Sequence, residues 1–354
     1  MLPRAGSRIV RSMGWKLRAR YWAAFSIVLT LTAVGWWLIP LTNVGQLRAQ
    51  DAPQVNIEPR PLPPDQATGS ASRRGGDIRV DANLVLIPVL VTDDRDRAVT
   101  GLGRDRFRLL DEKAEQVISH FTTEDAPVSI GVVFDASGSM GKKLACARAG
   151  VMEFLKSANP EDEFSLVEIN DRAELLSGFT DRIADIQNRL LFIGSKGRTA
   201  LLDGIILALN EMKNAKHARK AILIFSDGGD NHSRYSEREV RARLREANVQ
   251  VYAVGILEPI DSRFRSPEEF GGPGLLSSLA HETGGAFELG DPYELNGIAT
   301  RVASALRNQY VLGYVPDAAK RDGKFHHVQV QVERPKGTPR LHLSFRSGYI
   351  APSN

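Results

Sequence analysis

From Ser129 onward, short runs of Val, Ile and Phe alternate with stretches whose apolar residues recur every three or four positions, the signature of strands and helices laid down in turn. Runs at 129–134, 164–169, 221–225 and 249–254 predict strands. The first and third are almost wholly apolar, as strands buried on both faces are. Helices are predicted at 142–156, 183–192, 201–212, 236–246, 275–281 and 294–307. In the first of these, Leu144, Ala147, Val151, Phe154 and Leu155 form one stripe that faces the sheet. This alternation predicts an α/β fold with a doubly wound, mostly parallel sheet.

On either side of this region the period drops to two. Ile78, Val80, Ala82, Leu84 and Leu86 alternate ahead of the run 87–91, with turns at 93–96 and 111–113. Near the C-terminus Val328, Val330 and Val332 alternate, as do Leu341, Leu343 and Phe345, across a turn at 335–337. Neither flank is large enough for a core of its own. The two are therefore expected to pair into one small β-sandwich, with 77–126 and 310–354 enclosing an inserted α/β domain at 127–309. Residues 257–274, rich in Pro, Gly and charge, read as a long loop. Loops of that length are uncommon unless they bind something or are mobile, and both readings stand.

The N-terminus has a different character. No charged residue occurs between Arg20 and Arg48, and 21–41 is almost entirely apolar, long enough to cross a bilayer. Residues 1–20 carry six cations and no acid, which predicts a cytoplasmic N-terminus with the remainder of the chain outside. All four tryptophans, Trp15, Trp22, Trp36 and Trp37, lie in or beside this segment, as interfacial anchors do. A cleaved signal peptide ending at Ala49, leaving a secreted protein, is the alternative. It fits less well: the apolar region is too long, and Leu47 and Arg48 occupy positions that prefer small or neutral residues. The Pro- and Gly-rich stretch 42–76 reads as an extended linker.

The formal charge of +4 belongs to this basic end, since the first twenty residues contribute six positives and leave the rest at about −2. No basic stripe with interleaved aromatics occurs outside it, which argues against nucleic acid as a partner. The single cysteine, Cys146, precludes an intrachain disulfide.

Candidate chemistry lies where the strands end. Asp135, Ser137 and Ser139 follow the first buried run, Asp227 follows the third, and Thr199 lies between them in sequence. Ligands of open parallel sheets bind at the strands' carboxyl ends, so these distant residues can converge. Two carboxylates and three hydroxyls are the hard oxygen donors that suit magnesium.

The pattern Asp135-x-Ser137-x-Ser139, with Gly197-Arg198-Thr199 and Ser226-Asp227-Gly228, resembles the metal-ion-dependent adhesion site of von Willebrand factor type A domains. The resemblance covers 127–309 and fills all five motif positions. It implies that Ser137 and Ser139 ligate a divalent ion directly, while Asp135, Thr199 and Asp227 contact it directly or through water. Magnesium is the implied ion, with manganese or calcium as substitutes. The open coordination position would take a carboxylate from a partner protein. Arg198 departs from the small residue common there and, with Asp230, is a further candidate for ligand binding. The flanking β segments, including the ending 346–352, resemble those of a bacterial family of type A-related proteins.

The function these features imply is a membrane-anchored, extracytoplasmic, non-enzymatic module for protein contact or adhesion. A metal-indifferent scaffold of a membrane complex is the alternative. A metal-dependent hydrolase using Ser137 or Ser139 with His232 and Asp230 is a weaker third, because nothing encodes an oxyanion hole. Gly138 to Lys143 is too short between its glycines for a phosphate-binding loop.

Overall fold

The structure is a computed structural model that describes residues 84–123, 125–257, 267–317, 322–334, 337 and 340–351. The apolar segment 21–41, the linker 42–76 and the alternating Ile78, Val80 and Ala82 lie outside the described residues. Among the described residues no helix is long and apolar enough to cross a membrane.

The chain enters through strands β1 (Val85–Thr92), β2 (Phe107–Asp111), β3 (Ala114–Gln116) and β4 (His120–Thr122). The central region follows as β5 (Val128–Asp135), α1 (Leu144–Lys156), β6 (Glu163–Ile169), β7 (Ala173–Thr180), α2 (Ile183–Phe192) and α3 (Leu201–Glu211). It continues as β8 (Arg219–Ser226), α4 (Glu237–Ala247), β9 (Gln250–Ile256), α5 (Pro267–Thr283), β10 (Phe287–Gly290) and α6 (Leu295–Arg307). The chain ends through β11 (Gln309–Tyr314), β12 (Phe325–Val332), β13 (His342–Phe345) and β14 (Gly348–Ile350).

The central six strands form one sheet in the order β10-β9-β8-β5-β6-β7, parallel except for β7. Successive side chains of a strand point to opposite faces, so β5 serves two cores at once. Ile130, Val132 and Phe134 pack with α1, α2 and α6 on one face. Val133 packs with α3, α4 and α5 on the other. From β5 the chain steps to β6 on one side and later returns to β8 on the other. The reversal opens a crevice at the carboxyl ends of β5 and β8, where such sheets bind ligands.

The two flanks interleave. One antiparallel sheet runs β13-β1-β11-β4 and the other β14-β12-β2-β3, each drawing strands from both ends of the chain. Val85, Ile87, Val89, Leu109, Tyr310, Leu312, Val328, Val330 and Tyr349 fill one core between them, which makes the pair a sandwich. Arg307, at the end of α6, donates to Asp125 and, at 2.7 Å, to the buried Asp162, tying the sheet's entry edge to the chain that leaves it.

Two departures from the periodicity have physical causes. Helix α5 starts at Pro267, not near 275, so the second half of the expected loop is helical; proline's fixed φ and missing N–H suit a first helical turn. Within it, Gly272 faces the loop after β8 so closely that an added Cβ would lie 2.4 Å from the Gly228 carbonyl carbon. The glycines there permit backbone contact between elements and do not mark a loop. Strand β7 is a partly exposed, bulged edge strand whose mixed sequence gives no clean alternation.

Candidate metal centre

Asp135 is the last residue of β5 and Ser226 the last of β8. The parallel register pairs Phe134 with Phe225, so the next residues stand side by side across the crevice. The Ser226 hydroxyl donates to Asp135 Oδ2 at 2.5 Å, and the Ser137 amide donates to Asp135 Oδ1 at 2.9 Å. Beyond Ser137 the chain makes one tight turn, Gly138–Met140, pinned by the buried Met140 side chain. That turn brings Ser137 Oγ and Ser139 Oγ to 3.1 Å from each other. Ser137 is buried and Ser139 exposed, so the group has an open side.

Asp135 and Asp227 are 0% and 1% exposed. Burial, and next the negative charge of Asp227, push the Asp135 carboxyl up to about 6, against hydrogen bonds from Ser137 and Ser226 that favour its ionised form. Two buried acids this close call for a cation.

The loop carrying Thr199 is stitched to the Asp135–Ser139 turn by three hydrogen bonds. Lys196 N donates to Ala136 O at 2.9 Å, Ser195 Oγ to Ser137 O at 2.6 Å, and Gly138 N to Gly197 O at 2.9 Å. Gly197 has a φ of +71°, and a Cβ there would meet the Asp171 carboxylate at 2.4 Å. That carboxylate accepts the Arg198 amide at 2.8 Å, so both conformation and space require glycine.

On its other side Thr199 holds the loop after β8. Its amide donates to Asn231 Oδ1 at 3.0 Å, and its carbonyl accepts from the amides of Asn231 and His232. Asp230 accepts the Leu201 amide at 3.0 Å and the Ser233 hydroxyl at 2.7 Å, so its carboxylate caps the start of α3. Burial raises its pKa, while Ser233 and the amides of Leu201 and Leu202 oppose the shift. Asp203 accepts the amides of Arg234 and Tyr235 and the Arg234 side chain, latching the same loop a second time. Three sequence-distant loops are thus locked together, and Asp135, Ser137, Ser139, Thr199 and Asp227 lie at one rim of the sheet.

Arg198 is exposed, with Nη1 3.4 Å from His232 Nδ1. His232 therefore faces Arg198, and Asp230 faces α3. The serine, histidine and aspartate considered for hydrolysis do not form a relay.

Sequence patterning overlooked Lys143. Its side chain is 9% exposed and its Nζ lies 2.6 Å from Asp227 Oδ2. The available signal was helical spacing, since Lys143, Ala147 and Val151 fall at i, i+4 and i+8 on the inward stripe of α1.

Among the described residues no group of three His, Cys, Asp or Glu side chains is arranged to hold a metal ion, so hydroxyls must complete any cage at this rim. Two buried carboxylates, two adjacent serine hydroxyls and a buried threonine form an all-oxygen donor set, which fits a hard divalent cation.

Residues 130–229 match the family model described as von Willebrand factor type A domain. The central α/β region is a von Willebrand factor type A domain. Among curated proteins, the chain is 23% identical over 234 residues to inter alpha-trypsin inhibitor heavy chain 4 of Mus musculus, covering 60% of this chain and 24% of that protein. It is 25% identical over 142 residues to the voltage-dependent calcium channel subunit alpha-2/delta-2 of Homo sapiens, covering 37% of this chain and 12% of that one. The chain thus spans a quarter or less of the length of these relatives. A solved structure of proximal thread matrix protein 1 from the mussel byssus, with a zinc-occupied MIDAS motif, has a TM-score of 0.43 and 18% identity. That match covers 63% of this chain and 50% of that one.

Proposed function

We propose that this chain is a contact module, held at a membrane by residues 21–41 with its folded part outside the cytoplasm, that engages an acidic side chain of a partner protein through a magnesium ion. The convergence of Asp135, Ser137, Ser139, Thr199 and Asp227 on one rim is the observation that supports this reading. Under it, the two serine hydroxyls, with Thr199 and the two aspartates directly or through water, would hold the ion. The ion would supply a Lewis-acid contact to the partner's carboxylate. The remaining work belongs to the chain: the Asp203 and Asp230 latches keep the three loops in register, and exposed Arg198 attracts an acidic visitor.

Capture of a partner from detergent-solubilised membranes on the immobilised full chain tests this. Capture lost in chelator, restored by magnesium and absent with Asp227→Ala supports the reading; capture indifferent to chelator defeats it. The Lys143–Asp227 pair favours a second reading, a scaffold that needs no metal, because the fold carries a cation of its own at the cage.

A further inference from the structure

We infer that Lys143 is a resident counter-cation of the cage, which holds Asp227 when no divalent ion is bound and is exchanged for the ion when one binds. This rests on the metal reading of the same rim and goes beyond it.

Lys143 and Lys142 are sequence neighbours with opposite surroundings. Lys142 is exposed, whereas Lys143 is buried. Buried lysines are rare unless paired. The position is otherwise poor for a cation, because Lys143 immediately precedes the first turn of α1, where the helix's own field is positive. Something nearby must outweigh both penalties. Asp227, 1% exposed, does so with a charge-assisted bond of 2.6 Å. Among the described residues no other cation lies within ion-pair distance of either cage carboxylate. Among the described residues Asp135 is served by the neutral donors Ser137 and Ser226, and Asp227 also accepts the Gly229 amide at 3.4 Å.

The charge balance makes the exchange. With both acids ionised, one ammonium leaves the cage at −1, enough to keep the rim assembled and still attractive to a dication. An ion placed among the serines meets Lys143 as a like charge against the same carboxylate. Lysine's flexible four-carbon stem lets the ammonium withdraw toward the exposed edge occupied by Lys142. Divalent affinity is therefore the difference between two cations competing for Asp227, and contact with a partner answers to the ambient divalent concentration.

The test compares the full chain with Lys143→Met and Lys143→Arg by magnesium calorimetry and by thermal melting in chelator. Lys143→Met should lower the magnesium Kd at least tenfold and lower the metal-free melting temperature by several degrees, while Lys143→Arg stays near the parent in both. Unchanged or weakened magnesium binding in Lys143→Met overturns the exchange and leaves the metal cage standing. No magnesium binding by parent or variant removes both. Should Lys143→Met fail to fold, ¹⁵N-detected lysine ammonium spectra of the parent decide the matter. The slowly exchanging Lys143 signal in chelator should vanish on magnesium saturation, and its persistence refutes the exchange.

Discussion

Asp135 spends both carboxylate oxygens on neutral donors, so among the described residues no direct ion pair offsets the cost of its burial beside Asp227. Its folded pKa of about 6 lies above the ordinary 3.8, and between those values the folded chain keeps a proton that the unfolded chain has released. The stability this group contributes is complete below about pH 4 and is lost as pH rises through about 6. Asp135→Asn cannot ionise. Measured in chelator, the parent should lose melting temperature relative to that variant from pH 4 to pH 7, and equal pH profiles would contradict the electrostatic account. Magnesium at pH 7 should restore the parent and leave the variant unchanged. Ser137→Ala removes one proposed ligand at a buried position outside the two apolar cores, so it should weaken magnesium binding at least tenfold while leaving the melting temperature in chelator within a few degrees. Parental affinity in that variant would exclude Ser137 as a ligand. Apolar runs mark the strand ends that carry Asp135, Ser137, Ser139 and Asp227, whereas Thr199 follows no such run and was read from the resemblance to the adhesion-site motif. Patterning passed over Lys143, since a lysine beside another lysine at a helix start looks solvated, and only the three-dimensional approach of α1 to β8 sets the two apart.

At the level of elements, the rim depends on backbone contacts that allow no side chain. Gly228 has a φ of +84°, and a Cβ there would lie 2.5 Å from the Gly272 carbonyl carbon in α5. Gly228→Ala combines left-handed strain with a backbone clash and should cost about 2 kcal/mol or more, read as a lower melting temperature. Because Gly228 adjoins Asp227, the same variant should bind magnesium more weakly; a parental melting curve would mean that α5 does not brace this loop. The glycine run in α5 shows why part of the fold was hidden. Gly271, Gly272 and Pro273 are loop markers in a local reading, and their use inside a helix follows from a neighbour more than forty residues away in sequence. Strand β7 was hidden for another reason: at a half-exposed sheet edge, burial imposes no strict alternation. The helices at 183–192 and 294–307 were legible because each buries a single stripe against the sheet.

On the scale of the whole molecule, a type A domain is inserted between two strand groups that complete each other's sheets. β1 pairs with β11 and β2 with β12, so the sandwich closes only after the α/β region has brought Gln309 back to the entry strands. The candidate metal rim lies at the carboxyl ends of the parallel strands, and the chain joins the sandwich at their amino ends. In the proposed arrangement this directs the rim away from the joined flanks. If residues 21–41 anchor the chain, it should stay in the membrane pellet through alkaline carbonate extraction, and deletion of 1–41 should release it; release of the intact chain would argue for a cleaved or peripheral form. The measurement that bears most directly on the account is calorimetric titration of the full chain with magnesium at neutral pH, beside Asp135→Ala. Saturable binding of one ion by the parent and none by the variant is the predicted result. Absence of binding by the parent, or equal binding by both, would contradict the account.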